Sequence, residues 1–532
     1  MYVKKDTLLA RFVKGLADGV NPEATLLPFD TQPGPQTRLL ETEADEILYG
    51  GARGGGKSFG MLLDFGDHAI TWGPSAKGIL FRRQFVDLED IIEESHRIYP
   101  AMSAKYSPGK QTWSFPNGAQ LRFRYLARDS DANKYLGHQY TWMGVEEVGT
   151  YASFQTIRKL KATLRSSAGV KVCLHMNTNP GGVGHNWIKS RYVDAGPSET
   201  LVFEKDCPNK KCSYSVTWVD GEDEPMICPS KKCGSEYTGK ETRSSRIYIP
   251  AKVEDNQILM KADPSYVSRI RASGPDWLVD AWLNGNWDIV AGGMFDDLFY
   301  PTVMESNIIV PGFEIPEHWM ISRSFDHGTS KPFSVGWWVE SDGTPVIFKN
   351  GNEHTFPRGS QIRVAEWYGC HPDRAEHANE GTGLVAHEIA NGIINREMEM
   401  FGRLAAAGIA DNGIWSNHGV RGQTVASEML ACGVQFRPYQ KGQGTRANGW
   451  EVMRGRLKNA AELNDSPGLY IVETCADWIR TVPSLPRSER NNDDVNSDAE
   501  DHIADETRYH LTSPTFGFTA GTTRELWGRP RR

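Results

Sequence analysis

Residues Gly51-Ala52-Arg53-Gly54-Gly55-Gly56-Lys57-Ser58 fit the pattern G-x-x-x-x-G-K-S/T of a phosphate-binding loop. The glycines let backbone N–H groups turn inward around phosphates, Lys57 reaches the β and γ oxygens of ATP, and Ser58 offers a hydroxyl to Mg²⁺. Such a loop needs one carboxylate at the end of a neighbouring strand for the metal shell and another to polarise the attacking water. Glu146 and Glu147 follow the run Trp142-Met143-Gly144-Val145 and supply that pair, Glu146 for the metal and Glu147 for the water. Arg53, inside the loop, is a candidate to meet charge developing on the γ-phosphate, with Arg82 and Arg83 as further candidates.

A second set of acids lies far along the chain. Nuclease chemistry with two divalent ions needs three or four carboxylates converging from separated stretches. Asp326 ends ISRSFD, a strand entering a turn, and Asp411 follows the apolar run AAGIA. Asp501 and Asp505 are spaced i, i+4, so one helix puts both on one face. This set is read as the holder of Mg²⁺ or Mn²⁺, with Glu366 as a weaker extra. Cys207-x4-Cys212 and Cys228-x4-Cys233, each with Pro after its first cysteine, make two knuckles suited to a structural Zn²⁺. Lys205, Lys210, Lys211, Lys231 and Lys232 around them are candidate contacts to DNA phosphates. So are Lys441, Arg446, Arg454 and Arg456, in a segment that mixes cations with aromatics and glycines.

The elements that must carry these residues follow from periodicity. Short strands are expected at 46–49, 78–82, 119–126, 140–146 and 170–177, alternating with helices from Lys57 and at 87–98 and 153–165. That alternation implies a largely parallel α/β sheet. The Lys-, Cys-, Pro- and Ser-rich stretch 203–245 breaks the rhythm and reads as an insertion. From Trp319, MISRSFDHG, FSVGWWVE and TPVIFKN read as three successive strands opening a second α/β unit. The expected division is 1–290, 291–317 as a linker, 318–512, and 513–532 as a flexible basic tail.

Composition bounds the reading. At about 150 residues per domain, 532 residues make roughly three folding units. A hydrophobic share of 39% excludes a disordered or collagen-like chain. No run approaches the roughly 18 apolar residues of a membrane span, so a cytoplasmic protein without a membrane partner is expected. The net charge of −8 argues against coating nucleic acid by bulk charge and leaves room for local basic patches. Four of the eight cysteines cluster and four are scattered, which points to a metal site in a reducing compartment.

Together these motifs resemble the large terminase subunit of tailed bacteriophages, the ATPase and nuclease that packages viral DNA. The resemblance spans about residues 28 to 512 and implies an α/β chain: a P-loop ATPase domain of RecA/ASCE-like fold with a zinc-binding insertion, then a ribonuclease-H-like nuclease domain. In that family an adenine-reading Gln precedes the loop, and GPQTRLL puts Gln36 there. The family's Walker B strand usually ends Asp-Glu, where this chain has Glu146-Glu147. Asn177-Thr178-Asn179-Pro180-Gly181-Gly182 resembles the motif that senses the γ-phosphate and couples hydrolysis to DNA movement, which brings Asn179 to the nucleotide. VEDNQILMKADPSYVSRI and WLNGNWDIVAGGMF resemble the end of the ATPase domain. Asp326 and Asp411 match the first two nuclease acids, and Asp501 and Asp505 share the third position.

The resemblance further implies that ATP hydrolysis drives double-stranded DNA into the procapsid and that the nuclease cuts concatemeric DNA to start and end packaging. The working motor would be a ring of five subunits on the portal protein, with a small terminase subunit choosing the DNA. It would act in the host bacterial cytoplasm, docked transiently on the procapsid and absent from the mature virion. The rivals are a helicase-like ATPase-nuclease of DNA repair, for which no second RecA-like domain is found, and a nucleotide-gated DNA-binding scaffold without cleavage.

Overall fold

The computed structural model describes residues 31–513 apart from 213, 231–232, 240–242, 274–278, 280–281, 289–292, 300–301, 417–422, 443 and 489. Glu46–Gly51 (β1) is buried along its whole length, as a strand covered on both faces must be. Parallel to it run β2 (Lys77–Arg82), β5 (Gln120–Tyr125), β6 (Trp142–Glu146), β7 (Cys173–Thr178) and β10 (Arg243–Ala251), in the spatial order β5-β2-β6-β7-β1-β10. Short antiparallel strands extend the sheet at both edges. They are β3 (Lys105–Ser107) and β4 (Thr112–Ser114) beside β5, and β8 (Val202–Asp206) and β9 (Ser215–Val219) beside β10. The stretch read as an insertion therefore prolongs this sheet.

Helices cover both faces. α1 (Pro35–Glu41) precedes β1, and α2 (Lys57–Trp72) and α3 (Leu88–Ile98) bring Met61, Phe65, Leu88 and Ile91 against Leu80, Leu121 and Phe123. On the other face α4 (Gln155–Lys161) packs Ile157 and Leu160 with Ile79, Phe81, Met143 and Trp187.

The second sheet has the order β11-β19-β16-β13-β12-β17-β18. Its strands are Ile309–Val310 (β11), Ile321–Asp326 (β12), Ser334–Glu340 (β13), Gln361–Tyr368 (β16), Ala406–Ala410 (β17), Phe436–Pro438 (β18) and Leu469–Val472 (β19). Expectation and structure part at TPVIFKN. Only Val346–Ile347 (β14) is extended there, and it pairs with Glu353–His354 (β15) in a separate two-stranded sheet. Pro345 lacks the N–H that a ladder position needs, and the partner of β13 is β16 instead. The stretch expected as a linker brings Phe295, Leu298, Ile308 and Val310 into the core around this second sheet. Residues 1–30 and most of the expected tail, 514–532, lie outside the described residues.

Around the second sheet lie α5 (Ala386–Phe401), α6 (Thr445–Ala461), α7 (Ala476–Thr481) and α8 (His502–Thr512). α8 is held to the sheet by a buried carboxylate. Glu506 accepts hydrogen bonds from Ser324 Oγ, Ser334 Oγ (3.1 Å) and Trp338 Nε1 (3.1 Å), and pairs with Arg363 at 2.5 Å. Neither Arg363 nor Glu506 has measurable exposure. Removing one partner of such a pair leaves a buried charge uncompensated. Glu506→Ala is therefore expected to cost about 3–5 kcal/mol, read as a lowered midpoint in urea denaturation, and a loss below 1 kcal/mol would mean that Arg363 finds another partner.

The two parts of the chain touch. Ala378 packs into the core beneath the first sheet, Arg158 pairs with Glu380 at 3.0 Å, and Ser484 Oγ donates to Asn186 Oδ1 at 2.7 Å. Among the described residues no helix is long and apolar enough to cross a membrane.

Candidate functional site

The loop between β1 and α2 sits at the carboxyl end of the parallel sheet, where α/β folds gather ligands. Gly51 has φ 128°, and a Cβ there would stand 2.5 Å from the Ala251 carbonyl oxygen. Gly56, with φ 74°, opens α2. Lys57 Nζ donates to the Ala52 carbonyl (2.5 Å) and to Asn179 Oδ1 (2.8 Å), spanning from the loop to the end of β7. Burial pulls its ammonium down to about 8, with Glu146 and Glu147 acting in the opposite direction. Ser58 Oγ donates to Glu146 Oε1.

Glu146 is buried, its carboxyl is raised above the ordinary range by that burial, and its Oε2 has no hydrogen-bond partner. That oxygen, approached by Arg82 Nε without a hydrogen bond, lies beside the loop hydroxyl and is the kind of donor a Mg²⁺ shell uses, so the residues fit this ion. Glu147 is half exposed and takes a left-handed conformation, φ 52°, that costs a non-glycine residue about 1–3 kcal/mol. Its N–H donates to Asn177 Oδ1 (3.3 Å), which steadies the turn. Arg82 spans both acids, Nε 3.4 Å from Glu146 and Nη1 3.4 Å from Glu147.

These groups line one open cavity of about 650 Å³ with Arg53, Gly54, Gly55 and Gly56. The Arg53 guanidinium lies over the Trp282 ring at 4.9 Å. Gln36 is absent from the lining. It is buried beneath the loop, its Nε2 donating to the Gly56 carbonyl (3.1 Å), so its amide is committed to loop shape. Asn256, which sequence reasoning missed, donates to the Gly54 carbonyl (2.7 Å) and caps the next helix through Leu259 N–H. The signal was there: Asn ahead of an apolar run is an N-cap signature.

The second acid set gathers at one end of the second sheet. Asp326 closes β12 and Asp411 immediately follows the parallel neighbour β17, while Asp501 and Asp505 occupy the start of α8. Each acid has a basic neighbour in the chain. Asp326 meets His502 Nδ1 (3.3 Å), Asp411 meets Lys441 (2.5 Å), and Arg446 spans Asp501 and Asp505 at 3.4 Å each. Burial raises Asp326 to about 6, and burial with the Asp505 charge raises Asp501. Asp411 is lowered despite burial, because Lys441, the Gly413 N–H and Tyr509 stabilise its anion. Among the described residues no three of these acids bring their oxygens within 4.8 Å of one another, while the all-oxygen chemistry they offer is the kind that suits Mg²⁺ or Mn²⁺.

Three expectations need correction. Glu366 accepts the Asp477 and Trp478 N–H groups (2.6 and 3.2 Å), so it caps α7 from β16 and stands apart from the acid set. Lys205 is buried, paired with Glu224 at 2.7 Å and seated over Tyr237, which removes it from any DNA surface. Arg454 and Arg456 donate to the Met294 and Gly359 carbonyls and brace the fold. Lys231 and Lys232 lie outside the described residues.

The four clustered cysteines converge. The sulfurs of Cys207, Cys212, Cys228 and Cys233 lie within 4.8 Å of one another, and they are the only such group among the described residues. Cys207 and Cys233 are 3.6 Å apart, Cys212 and Cys228 3.7 Å. Tetrahedral Zn–S bonds of about 2.3 Å require sulfurs about 3.8 Å apart, so the cluster fits Zn²⁺. Beyond the β8–β9 ladder and the Lys205–Glu224 pair, this stretch has only a small apolar cluster of Phe203, Tyr214, Val216, Trp218 and Tyr237 around the cysteines. Cys212→Ser with Cys233→Ser is expected to remove one equivalent of zinc by elemental analysis and to open 207–237 to protease. Retained metal would mean that other ligands hold it.

No protein-family model and no curated protein matches the chain. Similar solved structures are large terminases. The large terminase of the thermophilic bacteriophage D6E is 15% identical, with 91% of this chain and 98% of that chain covered and a TM-score of 0.36. The large terminase of bacteriophage HK97 is 10% identical, with 91% and 95% covered and a TM-score of 0.38. The P22 large terminase nuclease domain is 12% identical over 40% of this chain and 89% of its own, with a TM-score of 0.26. Scores below 0.5 mark these as likenesses only.

Proposed function

We propose that this chain is an ATP-hydrolysing, DNA-translocating and DNA-cutting enzyme, the motor subunit that packages a viral genome. One observation carries the ATPase half. Lys57, the Ser58–Glu146 contact, Glu147 and Asn179 come from the loop, β6 and β7 and line a single cavity. The loop N–H groups and Lys57 bind and orient the phosphates, and Arg82 pairs with both acids. Glu147, at the cavity rim, takes the proton of the attacking water. Ser58 and Glu146 would hold a Mg²⁺, which would supply charge neutralisation to the phosphates. Asn179, bonded to Lys57, links the γ-phosphate position to the Pro180-Gly181-Gly182 turn.

The nuclease half rests on Asp326, Asp411, Asp501 and Asp505. They would hold Mg²⁺ or Mn²⁺ at the scissile phosphate, where such ions activate water and steady the leaving oxygen. The division into an ATPase part to about 290 and a nuclease part from about 318 is proposed on the same grounds. Partners follow from the motif resemblance: double-stranded DNA, a portal on a procapsid, a small terminase subunit and four further copies in a ring, in the host cytoplasm.

The test is to follow ATP turnover and plasmid cutting on one preparation, with Mg²⁺ or Mn²⁺ and with and without duplex DNA. Turnover stimulated by DNA together with metal-dependent cutting supports the reading. A preparation that turns over ATP but never cuts, with either metal, sinks the nuclease half.

A further inference from the structure

We infer that the antiparallel edge of the first sheet, β3-β4-β5, is a surface for the phosphodiester backbone of duplex DNA; this rests on the DNA-translocating reading above. Strand alternation fixes which side chains share a face. Leu121 and Phe123 of β5 point into the core beneath α2 and α3. Gln120, Arg122 and Arg124 point the other way, in register with Lys77, Ile79 and Phe81 of β2. Over β2 that side is roofed, since Ile79 and Phe81 lie in the core with Ile157 and Trp187. At β5 the roof ends. Arg122 and Arg124 are half-buried and Gln120 is exposed. Across the ladder Ser114 faces Gln120, and Lys105 faces Ser114, both exposed.

The chemistry of that face is one-sided. Lys105, Arg122 and Arg124 bring three cations, with Ser107, Ser114 and Gln120 as neutral hydrogen-bonding groups between them. Among the described residues no carboxylate pairs with any of the three cations. Arg124 donates to the Lys110 carbonyl (3.1 Å), and the Arg122 charge acts on the Tyr140 hydroxyl. The acids of α3, Glu89, Asp90, Glu93 and Glu94, belong to the opposite layer, because α3 packs through Leu88 and Ile91 into the core on the other side. The acids nearest this face, Asp129 and Asp131 in the turn whose Tyr135 packs on Phe81, pair instead with Arg83 and Lys134, so on a chain of net charge −8 the three cations keep their charge unpaired. Arg122 and Arg124 stand two residues apart on a strand, about 6.8 Å, which is two steps of the roughly 3.4 Å rise along one DNA strand. Cations and neutral donors without acids recognise phosphates and carry no base code.

The experiment measures binding of a labelled 30-base-pair duplex by the full chain with a non-hydrolysable ATP analogue, over a salt series. Replacing Lys105, Arg122 and Arg124 together by Gln is expected to reduce the slope of log K against log salt by about 2.7, from about 0.9 per phosphate contact, equally for duplexes of unrelated sequence. Arg122→Lys with Arg124→Lys keeps the charges and is expected to keep the slope. A triple Gln variant with the wild-type slope overturns the inference, as does a Lys variant that loses as much slope as the Gln variant. A wild-type chain that binds no duplex at any salt refutes the DNA reading itself, a different failure from a misplaced surface.

Discussion

Glu147→Gln is expected to lower ATP turnover by about 10²–10⁴, the range a positioned general base contributes, while nucleotide affinity stays within about twofold. Gln keeps the length and hydrogen-bonding shape of Glu but accepts no proton from water. The groups that grip phosphate are untouched, because Lys57 is held by Ala52 and Asn179, and Ser58 by Glu146. The backbone at 147 is unaffected as well, since its N–H bond to Asn177 involves no side-chain atom of 147. Lys57→Ala contrasts with this, because it removes the cation nearest the phosphates and is expected to lose binding along with turnover. Single-turnover hydrolysis and equilibrium binding of a labelled nucleotide separate the two. Turnover of Glu147→Gln within tenfold of wild type would falsify the assignment of Glu147 as base and shift attention to Glu146.

Asp326→Asn is expected to lower metal-dependent DNA cutting on the order of a thousandfold or more and to leave ATP turnover within about twofold. Asp326 sits at the centre of its cluster, feeling the charges of His502, Asp505 and Asp411 at once. Its carboxyl, raised by burial to about 6, carries a proton below that pH, and there a divalent ion must displace it. Wild-type cutting should accordingly climb from pH 5 to 8 as that proton leaves, and metal uptake should release protons. The sign for stability runs the other way. A carboxyl whose folded value lies above its unfolded one favours the folded state at low pH, and that contribution is lost as pH rises through about 6. Without metal at pH 7, Asp326→Asn should therefore unfold at higher urea than wild type. A variant that cuts normally, or that slows ATP turnover as severely as cutting, contradicts two separate sites.

The readable features are those whose physics is local. The loop at 51–58 needs only its own glycines and the strand and helix beside it: β1 begins and ends within two residues of expectation, and α2 begins at Lys57 as expected. The cysteine knuckles are legible because thiol spacing over a short stretch limits where the sulfurs can go. Gln36, Glu366 and Lys205 were not legible, for a shared reason. Each is a polar side chain whose role depends on the backbone it meets across the fold: the Gly56 carbonyl, the N-terminus of α7, and Glu224 with the Tyr237 ring. Their own neighbours in sequence say nothing of those encounters.

By itself the amino-acid order determined the α/β class, the phosphate-binding loop, the acid pair after β6 and the cysteine cluster, because backbone preference, alternation and short spacings act between residues close along the chain. Only the tertiary structure decided that Asp326, Asp411 and the acids of α8 share one end of a sheet, that Arg82 stands between Glu146 and Glu147, and that a cationic face survives on an acidic chain. Those facts turn on strand order. β12 lies beside β17, and α8 is pinned to β12 by Glu506. A sheet sets its strand order by burying apolar faces across the whole chain, and no short window of sequence contains that information.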